Sequence, residues 1–131
     1  MSVIFVLAML VLIGVASAET MNLGYYTVSF NYTKPHQNVI DLNSSNMLIK
    51  TFDGNIVIST NPTDIVNIWN AIKDKDSRQT IIVDNRSSEL LTAGDLFALV
   101  NQYFMVNGHM PLYDLVDFLK SLKIKKTNST K

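Results

Sequence analysis

Apolar and polar residues alternate from Tyr25 to Tyr32, with Tyr26, Val28, Phe30 and Tyr32 on one side and Tyr25, Thr27, Ser29 and Asn31 on the other. A period of two predicts a half-buried strand, ended by Thr33-Lys34-Pro35. Residues 38–42 predict a second, short strand before the turn-rich Asn43-Ser44-Ser45-Asn46. Residues 47–52 and 55–59 flank Asp53-Gly54, both of which tolerate positive φ, so a hairpin with a type I′ turn is expected there. The period then changes. Asn61 can cap a helix, Pro62 suits its first position and Asp64 suits its dipole, with Ile65, Ile68, Trp69 and Ile72 on the inward face. Lys73-Asp74-Lys75-Asp76 ends that helix, and residues 79–84 around Ile81-Ile82-Val83 predict a buried strand.

Thr92 and Asp95 have capping-box spacing, with Asp in the usual place of Glu, and Leu91 and Leu96 stand where a hydrophobic staple would join. A helix carrying Leu96, Leu99, Val100, Tyr103 and Phe104 inward follows, closed by Asn107-Gly108. After Pro111, the residues Leu112, Leu115, Val116, Leu119 and Leu122 mark a last amphipathic helix with a lysine-rich end. The predicted order is β-β-β-β-α-β-α-α. The fold class is α+β, a mainly antiparallel sheet with two or three helices packed on one face.

Ahead of these elements, residues 2–18 hold no charge and end in Ala16-Ser17-Ala18 before Glu19, a small-x-small cleavage pattern. No basic residue precedes the apolar run. Seventeen helical residues reach roughly 25 Å, short of a hydrocarbon core of about 30 Å. Residues 1–18 therefore read as a signal peptide cut after Ala18, with an uncleaved amino-terminal anchor as the alternative. The expected organisation is a single domain over 19–122 and a basic flexible tail over 123–131. The exported part touches a membrane only if residues 2–18 are kept.

The 131 residues include no cysteine, which excludes disulfides, thiolate chemistry and a lipid-modified cysteine. A domain of this size can bury a core without them. Net charge is zero but uneven: residues 19–119 carry six basic and eleven acidic side chains, and 120–131 carry five lysines and no acid. Lys120, Lys123, Lys125, Lys126 and Lys131 could meet an anionic surface or a wall polymer. They could equally be a solvated end. Export argues against nucleic acid as the partner.

The five glycines are too scattered for a phosphate-cradling loop. His36 and His109 lie in predicted loops beside prolines, and a zinc site from the two plus a carboxylate needs the fold to unite distant segments. Asp84 with Glu89, or Asp114 with Asp117 at i, i+3, could form a hydrolase pair, but such carboxylates are far more often surface or helix-start charges. No strand-serine-helix elbow supports a triad, and Asp74-Lys75-Asp76 lacks the remaining ligands of a calcium loop. No catalytic residue, metal ligand or cofactor site is assigned. Tyr25, on the more polar side of its strand, is a candidate ligand contact together with His36 and His109; Trp69 reads as core. Asn31, Asn43, Asn85 and Asn128 open N-x-[ST] sequons, while Asn61-Pro-Thr is excluded by its proline.

Met21-Asn-Leu-Gly-Tyr-Tyr-Thr-Val-Ser-Phe-Asn resembles the opening of small exported archaeal proteins, chiefly from methanogens, which have a signal peptide, an "-LG-YTVSF-" strand and an α+β domain. The resemblance implies export and that fold, and carries no activity to any residue. Tyr103-Phe-Met-Val-Asn-Gly-His-Met-Pro with Asp117-Phe-Leu-Lys-Ser-Leu is similar to the pseudomurein-binding repeat, although the segment between Pro111 and Phe118 is shorter and the strand after the proline is missing. The function expected is an exported, extracellular or cell-surface domain that binds or belongs to the cell envelope without catalysis. A pseudomurein-like wall-polymer binding module using 96–122 is the first alternative, and a small secreted hydrolase the second.

Overall fold

The computed structural model describes residues 18–126. The order is β1 (Glu19–Asn22), β2 (Tyr26–Phe30), β3 (His36–Asp41), β4 (Asn46–Thr51), β5 (Gly54–Ser59), α1 (Pro62–Ile72), β6 (Gln79–Val83), β7 (Arg86–Ala93), β8 (Leu96–Val100), β9 (Met105–His109), α2 (Leu112–Ser121) and β10 (Lys123–Lys126). Every strand pairing is antiparallel. One sheet has the order β1-β2-β10, and the other β3-β4-β5-β9-β8-β7-β6. The fold is α+β, with large sheets and few helices.

Alternation assigns the faces. Met47, Ile49, Ile56, Ile58, Leu90, Phe97, Leu99 and Val106 are buried on the inner face of the seven-stranded sheet. They meet Val28 and Phe30 of β2, Ile124 of β10, and Leu115, Phe118 and Leu119 of α2 in one cluster. Full burial of such side chains contributes about 1.5–3 kcal/mol each. On the opposite face, Ile65, Ile68 and Ile72 of α1 pack against Val57, Leu91, Ala98, Val100 and Met105. The two helices therefore lie on opposite sides of the large sheet, where one shared side was expected. Between them the middle strands are buried on both faces.

The helix start at Asn61 forms as expected: its side chain accepts from the Thr63 N–H at 2.9 Å, with Pro62 in the first turn. The helix expected after Thr92 does not form. Those residues are the end of β7, all of β8 and the loop to β9. Leu96–Val100 is apolar throughout because Phe97 and Leu99 face the inner core while Ala98 and Val100 face α1. A strand covered on both faces loses its alternation. Gly94-Asp95 is a hairpin turn with φ +61 at Gly94. The hairpin expected at Asp53-Gly54 does form, but its turn residues are Phe52 and Asp53, neither at positive φ, and Gly54 follows at φ +133. Asp84-Asn85, with φ 53 and 62, is the pair that meets the type I′ requirement.

Residues 123–126, expected in a flexible tail, are strand β10 against β2. Trp69 is 39% exposed and so is not core, and Leu112 and Val116 of α2 also face solvent, leaving Phe118 to fill the inward position.

Candidate functional site

The small sheet presents its outer face as two rows of polar side chains. Val28 and Ile124 point into the core, so their strand neighbours point out. Register aligns Thr20, Ser29 and Lys123 in one row and Asn22, Thr27 and Lys125 in the next. Adjacent strands lie about 4.8 Å apart, so the six side chains form a flat patch. Lys123 and Lys125 are exposed, and among the described residues neither forms an ion pair. The Lys-Ile-Lys alternation was the available sign that these lysines stand on a strand. Lys120 and Lys126 are also exposed, while Lys131 lies outside the described residues.

Two side-chain seams hold that face over the large sheet. Glu19 of β1 accepts from Asn38 Nδ2 at 2.8 Å and meets His36 Nε2 at 2.6 Å. At the other edge, Asp84 Oδ2 accepts from the Ile124 N–H at 3.0 Å, and Arg86 Nη1 donates to the Ile124 carbonyl at 3.2 Å. The Asp84-Asn85 turn thereby covers the free edge of β10.

Tyr25, His36 and His109 are not brought together. Tyr25 is 72% exposed in the loop that opens β2. The His36 ring packs at an angle against Phe30 and edge-on against Tyr32 near the other end of β2, with Nδ1 at 2.6 Å from the Lys34 carbonyl and Nε2 on Glu19. His109 points from the opposite face of the large sheet, against Gly54, in an open groove of about 500 Å³ with Asn55, Asn107 and Gly108. Among the described residues no three His, Asp or Glu side chains gather as a metal site.

The two carboxylate pairs fare differently. Asp84 is on Arg86 at 2.5 Å, and Glu89 accepts from Arg78 Nε at 2.6 Å and Thr80 Oγ1 at 2.8 Å, so they serve separate contacts. The hydrogen bond from Arg78, helped by Thr80, holds the Glu89 carboxyl below its ordinary range. Asp114 and Asp117 do share a cavity of about 270 Å³ with Asn31, Tyr32 and Lys34. Lys34 Nζ lies 2.5 Å from Asp114 Oδ2, and that hydrogen bond raises the lysine's pKa, which keeps it protonated and unable to act as a base. Burial raises the Tyr32 phenol in the same cavity.

Asn43 and Asn85 are exposed in turns; Asn31 is half-buried, with its Oδ1 unpartnered and shielded from solvent. Asn128 lies outside the described residues, as do residues 1–17 of the apolar leading segment. No described helix is long and apolar enough to cross a membrane. Tyr103 and Phe104, expected at a helix end, lie in the β8–β9 loop, where Asn101 Oδ1 accepts from both their N–H groups. Compared with known proteins, the chain matches no family model, no curated protein and no solved structure.

Proposed function

We propose that this is an exported domain of the cell envelope that binds an anionic polymer, without catalysis, through the outer face of the small sheet. The observation that carries the reading is the placement of Lys123 and Lys125: both stand on a paired strand, flanked by hydroxyl and amide side chains of β1 and β2, and no acid among the described residues pairs with them. Ordered cations lose less side-chain freedom on binding than cations on a frayed end. Neutral Thr20, Asn22, Thr27 and Ser29 can donate to oxygen atoms between the anionic groups.

The test is retention on isolated acidic wall polymer and on anionic lipid vesicles at rising salt. Retention on the polymer, weakening with salt, is expected for the unmodified protein. Each lysine contributes about 1 kcal/mol near an anionic surface, so Lys123→Gln with Lys125→Gln lowers affinity about thirtyfold. Binding that survives the double substitution overturns the reading, and retention on vesicles alone moves the partner from polymer to lipid.

A further inference from the structure

Strand edges are templates for pairing unless charge, proline or cover protects them. Among the described residues, three of the four outer strands are protected. β10 carries Lys123, Lys125 and Lys126, and the Ile124 backbone is held by Asp84 and Arg86. β1 carries Glu19, which ties it to β3, and β3 itself follows Pro35 and ends in Asp41. β6 has no such protection. Gln79-Thr80-Ile81-Ile82-Val83 contains no charge, proline or glycine, and Ile82 is 68% exposed. Among the described residues its backbone bonds no backbone outside the ladder with β7.

We propose that β6 pairs antiparallel with β6 of a second copy, joining two seven-stranded sheets across a two-fold axis at Ile81. Hydrogen-bond phase and charge fix the register. The two-residue turn at Asp84-Asn85 closes on a bonded Val83–Arg86 pair. Alternate residues Ile81 and Gln79 then also direct their backbone groups at β7. Thr80 and Ile82 direct theirs to the free edge. Self-pairing that opposes these residues has three centres within the strand, at Thr80, Ile81 or Ile82. A centre at Thr80 sets Ile82 against Arg78, and a centre at Ile82 sets Thr80 against Asp84; only the centre at Ile81 opposes the five uncharged residues with one another. Thr80 faces Ile82 twice, and Ile81 meets its own counterpart on the axis.

The contact is isologous, so it closes at two copies. The axis is perpendicular to the sheet, which places both α1 helices on the same side of the joined sheet. Val66, 54% exposed, and Ile82 of each copy then line the trough between the helices. A charged strand would set its charges along this uncharged row, whereas β6 itself presents none.

Sedimentation equilibrium over rising concentration tests the proposal, with amide exchange read at Thr80 and Ile82. Mass should move from one chain to two, and both amides should slow roughly tenfold or more as the dimer fills. Ile82→Lys should stay monomeric at concentrations where the unmodified protein is dimeric, and should melt with the unmodified protein when both are dilute. The exchange readout on the unmodified chain stands independently of that variant. A single-chain mass at every concentration overturns the proposal. So does a dimer whose Thr80 and Ile82 amides exchange as fast as in the monomer, or one that Ile82→Lys leaves intact.

Discussion

Gly108 is paired with Ile56 where β9 runs beside β5, at φ +153. A Cβ added there would stand 2.2 Å from the Asn55 carbonyl oxygen and 2.7 Å from Ile56 Cα. Both neighbours are backbone in a paired strand, so neither can turn aside as a side chain could. Gly108→Ala is expected to cost about 2–6 kcal/mol, combining backbone strain of about 1–3 with overpacking of about 1–3. Thermal unfolding measures it, with Gly94→Ala as the comparison. At Gly94 an added Cβ meets nothing within 4 Å, so only its φ of +61 opposes the change and the loss is smaller, about 1 kcal/mol. Equal melting of the two variants would show that the close approach to β5 is not what requires glycine. Asn107-Gly108 looked like a helix cap in the sequence because a cap and a close backbone approach within a sheet both call on glycine. The difference is the Asn55–Ile56 backbone, some fifty positions away.

At the scale of elements, Arg78 joins α1 to the sheet. Its guanidinium donates to the carbonyls of Ile72, Lys73 and Lys75 around the end of the helix, lies 5.4 Å from the Trp69 ring centre, and bonds Glu89 of β7. The last turn of α1 has no basic residue of its own, so Arg78 satisfies carbonyls that the helix leaves open. Glu89 orients it. The carboxyl's pKa is lowered in the folded protein, so its contribution is present above the unfolded carboxylate range and is lost as pH falls through the folded value. Glu89→Gln should therefore destabilise the protein by about 1 kcal/mol at neutral pH, a figure reduced from that of a buried charged bond because the side chain is 25% exposed. The difference from the unmodified protein should begin to shrink as pH falls through the ordinary glutamate value of about 4.3 and should vanish once pH lies below the lowered folded value. A difference independent of pH in a denaturation series would assign Glu89 a packing role instead. The start of α1 was legible because capping is local: Asn61, Pro62 and Asp64 act within one turn. Leu96–Val100 was not, because its apolar run depends on two partners, the inner core and α1, that are distant in sequence. Short apolar runs fit helix and strand equally until length and cover decide.

For the molecule as a whole, the deciding contacts are the two seams that close the small sheet over the large one. The sequence made β2, the β4–β5 hairpin and α1 readable, yet held no sign that β1 would form ahead of β2, that Glu19 would reach His36 or that Asp84 would reach Ile124. The four residues of β10 illustrate the consequence. As part of a tail, Lys123–Lys126 would be dispensable. As a strand they cover the edge of β2, bury Ile124 to 1% exposure and receive Asp84 and Arg86 from the large sheet. Losing a buried isoleucine costs about 2–5 kcal/mol, and two hydrogen bonds to charged groups add about 1.5–3 each. Against a total stability of about 5–15 kcal/mol, that loss takes most of what holds the fold. A chain ending at Leu122 should therefore be unfolded, or melt at least about 15 °C below the full chain, as followed by circular dichroism. Its β2 would also present an uncovered edge and associate non-specifically. Melting unchanged by the truncation would return 123–126 to the status of a tail and remove the strand on which the lysine face is built.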